Sequence, residues 1–177
     1  GCSEEVRDYA RWYAGHQAVD GTVPCCVDRT GPDWLVEYDS QGQLVYAVME
    51  YFRFTGDRAF LTEMWPAVRR SVDRIEALRA QRLTAEFQTP EKRACYGLLP
   101  ESVSHEGYLA HPVHAYWDDF WALRGLADAT SMAEALGDAA QAARLGALRD
   151  SFRATLRASI MTTMADRALD YVPASVE

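Results

Sequence analysis

The sequence predicts an all-α chain of antiparallel helical hairpins, and three observations carry that prediction. Apolar residues recur at helical spacing in five segments, about 3–18, 41–54, 58–81, 116–136 and 138–163. Two of these segments are apolar on almost every side, and each is followed by one with a single apolar stripe. Gly56-Asp57 and Gly137-Asp138 mark equivalent turns 81 residues apart, each between a fully apolar helix and a half-apolar one.

The first helix rests on Val6, Tyr9, Ala10, Tyr13 and Ala14, with Glu4 and Glu5 suited to the positive end of its dipole. From Val19 to Tyr38 the pattern breaks into Asp20-Gly21, Pro24 and Gly31-Pro32, a long turn-rich loop that carries Trp34. Trp34 either caps the core or lies flat against a sugar ring. Asp39 or Ser40 can cap the second helix, whose Leu44, Val45, Val48, Met49, Tyr51 and Phe52 predict burial all round. The third helix carries the stripe Leu61, Met64, Trp65, Val68, Val72, Ile75 and Leu78. Pro66 belongs early in that segment or marks a true helix start near Trp65. A second long loop runs from Leu83 to Ala115. The fourth helix repeats the apolar character of the second through Trp121, Leu123, Leu126 and Met132, and the fifth repeats the single stripe through Leu145, Leu148, Phe152, Leu156 and Ile160.

An alternation of wholly apolar and amphipathic helices fits an α/α toroid or an α-solenoid, with an inner and an outer layer. The long loops then open on one side and the short turns on the other. Asp39 and the pair Asp118-Asp119 stand at the entries of the two inner helices, where they either cap the backbone or bind sugar hydroxyls.

Composition narrows the partners. A chain of 177 residues with 49% hydrophobic and 25% charged residues describes one globular unit, residues 1–177, and excludes disorder. The net charge of -8 comes without a basic stripe, which argues against nucleic acid. No apolar run approaches the roughly 20 residues of a membrane span, so no membrane partner is expected. The chain begins at Gly1 without an initiator Met and reads as an excerpt, so compartment is not legible in it. Cys2, Cys25, Cys26 and Cys95 form no C-x-x-C pair and read as free thiols, although a Cys25–Cys95 bridge is geometrically conceivable.

The segments Asp33-Trp34, Glu37 through Leu61 with Thr55-Gly-Asp-Arg-Ala-Phe-Leu61, and Met64-Trp-Pro-Ala-Val68 resemble the hairpins of the six-hairpin (α/α)6 glycosidases, the glucoamylase-like superfamily. Gly97-Leu-Leu-Pro-Glu-Ser102 through Tyr116-Trp-Asp-Asp-Phe-Trp-Ala-Leu-Arg-Gly-Leu126 is similar to the next hairpin with its preceding loop. The resemblance implies part of an (α/α)6 ring, incomplete in this chain, and hydrolysis with inversion by two carboxyl groups. It also puts the acid in the loop Leu83 to Ala115, at Glu101 or Glu106. Leu98, Leu99, Pro100 and Val103 flank Glu101, and apolar surroundings are expected to raise its carboxyl toward the range a general acid needs.

The resemblance sets the partner base downstream, so the chain alone is expected to be catalytically incompetent. An open half-ring is also expected to self-associate or to pair with the missing part of the ring. An oligosaccharide or polysaccharide is the expected substrate, with Trp34, Asp39, Gln41, His105, Tyr108, Trp117, Asp118 and Asp119 around it. His105, His111 and His114 match no zinc spacing, and no metal or other cofactor is expected. Two other classes use similar shells: a toroidal sugar lyase or epimerase, and a non-catalytic helical-repeat module that holds a peptide. The acidic loops disfavour a uronate substrate, and a period of 81 exceeds the roughly 34 to 47 residues of such repeats.

Overall fold

The computed structural model describes residues 3–105, 107 and 110–177, so Cys2, Glu106 and Tyr108 lie outside the described residues. Among the described residues five α-helices make up the fold: α1 (Ser3–Ala14), α2 (Ser40–Thr55), α3 (Arg58–Ala80), α4 (Tyr116–Leu136) and α5 (Ala139–Asp166). The all-α prediction holds. A small hairpin of β1 (Cys26–Asp28) and β2 (Gly31–Asp33) accompanies them. That hairpin lies within the stretch expected to be irregular, and Asp28 pins its turn by accepting the Thr30 backbone N–H at 2.7 Å.

Helix boundaries follow local chemistry. Asp57 and Asp138 cap α3 and α5 by accepting the N–H groups of Phe60 and Gln141. Gly56 and Gly137 end α2 and α4 in the left-handed region, at φ 67° and 80°. Of the two places expected for Pro66, inside the segment that starts near Arg58 or at a helix start near Trp65, the first is the one found. The α3 helix begins at Arg58 and runs through Pro66, so the ring sits in its third turn. Asp39 occupies the N-cap position of α2 without capping it, and Ala115 holds that position in α4.

Side-chain bonds fix the directions of the helices. Trp117 at the start of α4 bonds Asp39 at the start of α2, and Arg53 near the end of α2 bonds Asp128 further along α4. These two helices therefore run parallel. Arg144 of α5 bonds Asp73 and Glu76 of α3, and Arg79 of α3 bonds Ser151 and Thr155 of α5, so the second pair is parallel too. Helix α1 runs with α3, through Arg11 to Glu63 and Gln17 to Ser71. The result is two layers, α2 with α4 and α1 with α3 and α5. Between them lies a core that includes Val45, Val48, Phe60, Ile75, Leu126, Met132 and Phe152. Each such side chain contributes roughly 1.5–3 kcal/mol on burial.

The α2–α4 contact depends on Gly42. A Cβ there would stand 2.0 Å from the Trp121 carbonyl oxygen, and Gly125 faces Gly42 from the other helix. Burial of α2 and α4 is less complete than expected. Gln43, Tyr46, Ala47 and Glu50 of α2 are half-buried, while Trp117, Phe120 and Arg124 of α4 are exposed. The remaining faces meet α1, α3 and α5, and among the described residues no element covers this strip.

Candidate functional site

Both long loops meet at the N-terminal ends of α2 and α4. The Val103 N–H donates to the Val36 carbonyl at 3.0 Å, and Ser102 and Val113 pair as an isolated antiparallel bridge. Asp118 fastens the junction. Its Oδ2 accepts the Ser102 hydroxyl at 2.6 Å and the Tyr38 N–H at 3.3 Å, and its Oδ1 accepts the Ser104 hydroxyl at 3.3 Å. Asp119 accepts the Leu99 N–H at 2.9 Å. Neither caps its own helix.

Burial dominates the electrostatics of this pair. It pushes the Asp118 carboxyl up to about 7, against the hydrogen bonds from Ser102, Tyr38 and Ser104 and with help from the nearby Asp39 charge. Burial likewise raises Asp119 well above the ordinary carboxyl range, with the Leu99 hydrogen bond opposing it. Gln41 is fully buried, and neither polar atom of its amide meets a partner among the described residues. These three side chains, expected at a substrate, are turned into the protein.

Asp39 joins a second group. Its Oδ2 accepts the Trp117 indole N–H and the Gln43 amide, both at 2.7 Å. Trp117 is 37% exposed, and His105 stacks on it with ring centroids 5.8 Å apart. The aromatic face at the mouth is thus held from behind by a buried carboxylate. Trp34 is exposed in the segment after β2, and no described contact ties it to Trp117.

Glu101 faces a different hollow, a cleft of about 530 Å³ lined by Arg82, Cys95, His114 and Glu177 among others. Its carboxylate pairs with the Arg82 guanidinium, and its Oε1 stands 3.6 Å from His114 Nε2. On the other edge of the imidazole, His114 Nδ1 meets Glu177 Oε1 at 2.8 Å, and Glu177 Oε2 accepts the His114 backbone N–H at 2.9 Å. Arg82 Nε donates to His114 Nε2 at 3.2 Å, which assigns the ring proton to Nδ1, facing Glu177.

The expected rise at Glu101 is not found. Burial does act to raise it, but backbone hydrogen bonding, the neighbouring His114 ring and the Arg82 contact outweigh burial and hold the carboxyl below its usual range. Glu177 is held low in the same way, with hydrogen bonds from the His114 ring and backbone outweighing burial.

No protein-family model, curated protein or solved structure matches this chain. The site therefore stands on its own residues. Among the described residues, Cys95, His114 and Glu177 bring metal-ligating atoms within 4.8 Å of one another. The Arg82 guanidinium already occupies one edge of that imidazole, and burial raises the Cys95 thiol to about 12, so the group is a poor cation site. Cys25, Cys26 and Cys95 are free thiols.

The fold thus gathers Asp39, His105, Trp117 and Asp118 at one mouth and sets Glu101 in an adjoining cleft. Sequence reading missed Arg82, Ser102, Tyr46, Trp121 and Glu177. The pairing of His114 with Glu177 spans 63 residues and carries no local spacing signal. Trp121 read as core because it lies on a helix that is apolar nearly all round, and Tyr46, on the equally apolar α2, carries no signal of its own.

Proposed function

We propose that this chain is part of a carbohydrate-active glycoside hydrolase of the inverting acid/base type, with the sugar bound where α2 and α4 begin. One observation carries the reading. The acidic loops, a braced aromatic face and the Glu101 cleft share one end of two parallel apolar helices, while the short Gly-Asp turns lie at the other end. Backbone N–H groups at helix starts favour carboxylates and substrate oxygens.

Glu101 and Glu106 are the carboxyl groups proposed to exchange a proton with the glycosidic oxygen. In the free chain Glu101 is an ionised partner of Arg82. A substrate hydroxyl that draws Arg82 away removes a contact that keeps the carboxyl low, and the acid form then becomes accessible. Glu177 adds a second carboxylate across His114. A second reading, sugar binding without cleavage, is favoured by the low resting state of both Glu101 and Glu177.

The test is a binding titration and a reducing-end assay over neutral oligosaccharides, using the parent chain with Glu101→Gln, Glu106→Gln and Glu177→Gln. Saturable binding is expected from the parent chain. Any turnover is expected to fall at least 100-fold in Glu101→Gln or Glu106→Gln while binding persists. Binding without turnover, once the missing part of the ring with its partner base is supplied, selects the second reading. Absence of both for every glycan overturns the carbohydrate assignment.

A further inference from the structure

The uncovered strip on α2 and α4 opens onto two hollows. The first, about 320 Å³, lies against α1 and is walled by Tyr9, Tyr13, Tyr46 and Trp121, with Ser40 and Gln43 among its polar lining. The second, about 420 Å³, is lined by Tyr46, Trp117, Phe120, Trp121 and Arg124. Both share Tyr46 and Trp121, whose rings meet edge to face at 5.5 Å and 72°. The two hollows adjoin at that pair, one on each side of it, and are treated together as a trough with the pair as its waist. Each volume lies within the roughly 300–1,000 Å³ range of small-molecule sites.

We infer that this trough binds a neutral oligosaccharide, with one sugar ring on each side of the Tyr46–Trp121 waist. The inference rests on the carbohydrate reading above and deepens it by assigning where rings sit and what charge they carry. Aromatic faces pack against the C–H faces of a pyranose, whose hydroxyls need donors and acceptors at the edge. Ser40, Gln43 and Arg124 supply them. Gln43 and Trp117 both donate to Asp39, so this wall is fixed before a ligand arrives.

Charge selects among possible occupants. The Arg124 guanidinium lies 4.8 Å from the centre of the Tyr46 ring and takes the face that an ammonium ligand would use. A cation is therefore disfavoured. Arg124 is itself neutralised, with Nε on Asp128 Oδ2 at 2.8 Å and Nη2 on Glu50 Oε1 at 3.2 Å, so the trough offers an anionic sugar little. The lining is mostly aromatic with Ser40, Gln43 and Arg124 among the rings, a poor match for the side-chain ridges of a docked helix.

The experiment titrates the full chain with neutral gluco-oligosaccharides of increasing length, following tryptophan fluorescence. Tetramethylammonium and a glucuronate oligomer serve as charged probes, and light scattering follows chain mass. Tyr9→Ala and Phe120→Ala alter exposed side chains on opposite sides of the waist, so the core stays intact. Affinity is expected to rise from one sugar unit to two, and each variant is expected to weaken binding by about three- to tenfold.

Saturable binding of a neutral sugar that both aromatic variants leave intact keeps the carbohydrate reading and overturns the trough. Failure of every neutral sugar overturns both. Preferential binding of either charged probe, or a dimer that Tyr9→Ala and Phe120→Ala dissolve, overturns the assignment in favour of a charged-ligand site or a contact between copies.

Discussion

Asp118 shows how one side chain can hold a loop and carry an energetic cost. Three donors converge on it, yet burial raises its carboxyl to about 7. A group whose folded value lies above its unfolded value binds more protons when folded, so its contribution to stability falls as pH climbs between the two. For Asp118 that window runs from the ordinary carboxyl value of 3.8 to about 7. Urea midpoints measured from pH 5 to pH 8 are expected to decline less in Asp118→Asn than in the parent chain. The same variant is expected to lose about 1 kcal/mol near pH 5, because an amide accepts fewer hydrogen bonds than the carboxyl group it replaces. An equal slope in both proteins would refute the assignment. The sequence indicated which end of the helices Asp39, Asp118 and Asp119 occupy, because helical period and turn position determine that. It did not indicate the partners of Asp118 and Asp119, since Ser102, Tyr38 and Leu99 reach them through long loops with no periodic signal.

The helices were largely legible, because each has its own punctuation. Asp57 and Asp138 cap, Gly56 and Gly137 terminate, and the stripes of α3 and α5 face the core as their spacing requires. Pro66 left two helix starts open because a proline costs a helix one hydrogen bond, a loss that packing of Met64, Val68 and Val72 outweighs. Less legible was the pairing of α2 with α4. Gly42 lies in the first turn of a helix and looks like a weak helix former, yet it is the point where the two backbones touch. Gly42→Ala is expected to destabilise by about 3 kcal/mol or more, despite the better helix propensity of alanine. For a chain of this size that corresponds to a melting temperature lower by roughly 6–12 °C. Asp57→Ala, which removes a cap at the opposite end, is expected to cost only about 1 kcal/mol. If the two variants melt together, the close approach of α2 and α4 is not as drawn.

At the scale of the molecule, the two layers are completed by a tail that returns to their mouth. Residues after α5 run back so that the Tyr116 N–H donates to the Ala174 carbonyl at 2.9 Å and the Val176 N–H to the His114 carbonyl at 3.2 Å. Arg167 then holds the Glu177 backbone oxygen at 2.8 Å while the Glu177 carboxylate grips His114. The first of these bonds satisfies an orphan donor at the start of α4, where Ala115 has no side chain to do so. The tail thus closes one wall of the Glu101 cleft and seals a helix end. Removing residues 170–177 deletes several hydrogen bonds at a net value of about 1 kcal/mol each, so a loss of a few kcal/mol is expected. Hydrogen exchange should localise it. Protection is expected to fall at His114, Tyr116 and the Ser102–Val113 bridge, while the amides inside α2 and α3 keep theirs as long as the core remains folded. Unchanged protection at His114 in the shortened chain would mean that the tail is not docked in solution, and Glu177 would then drop out of the site.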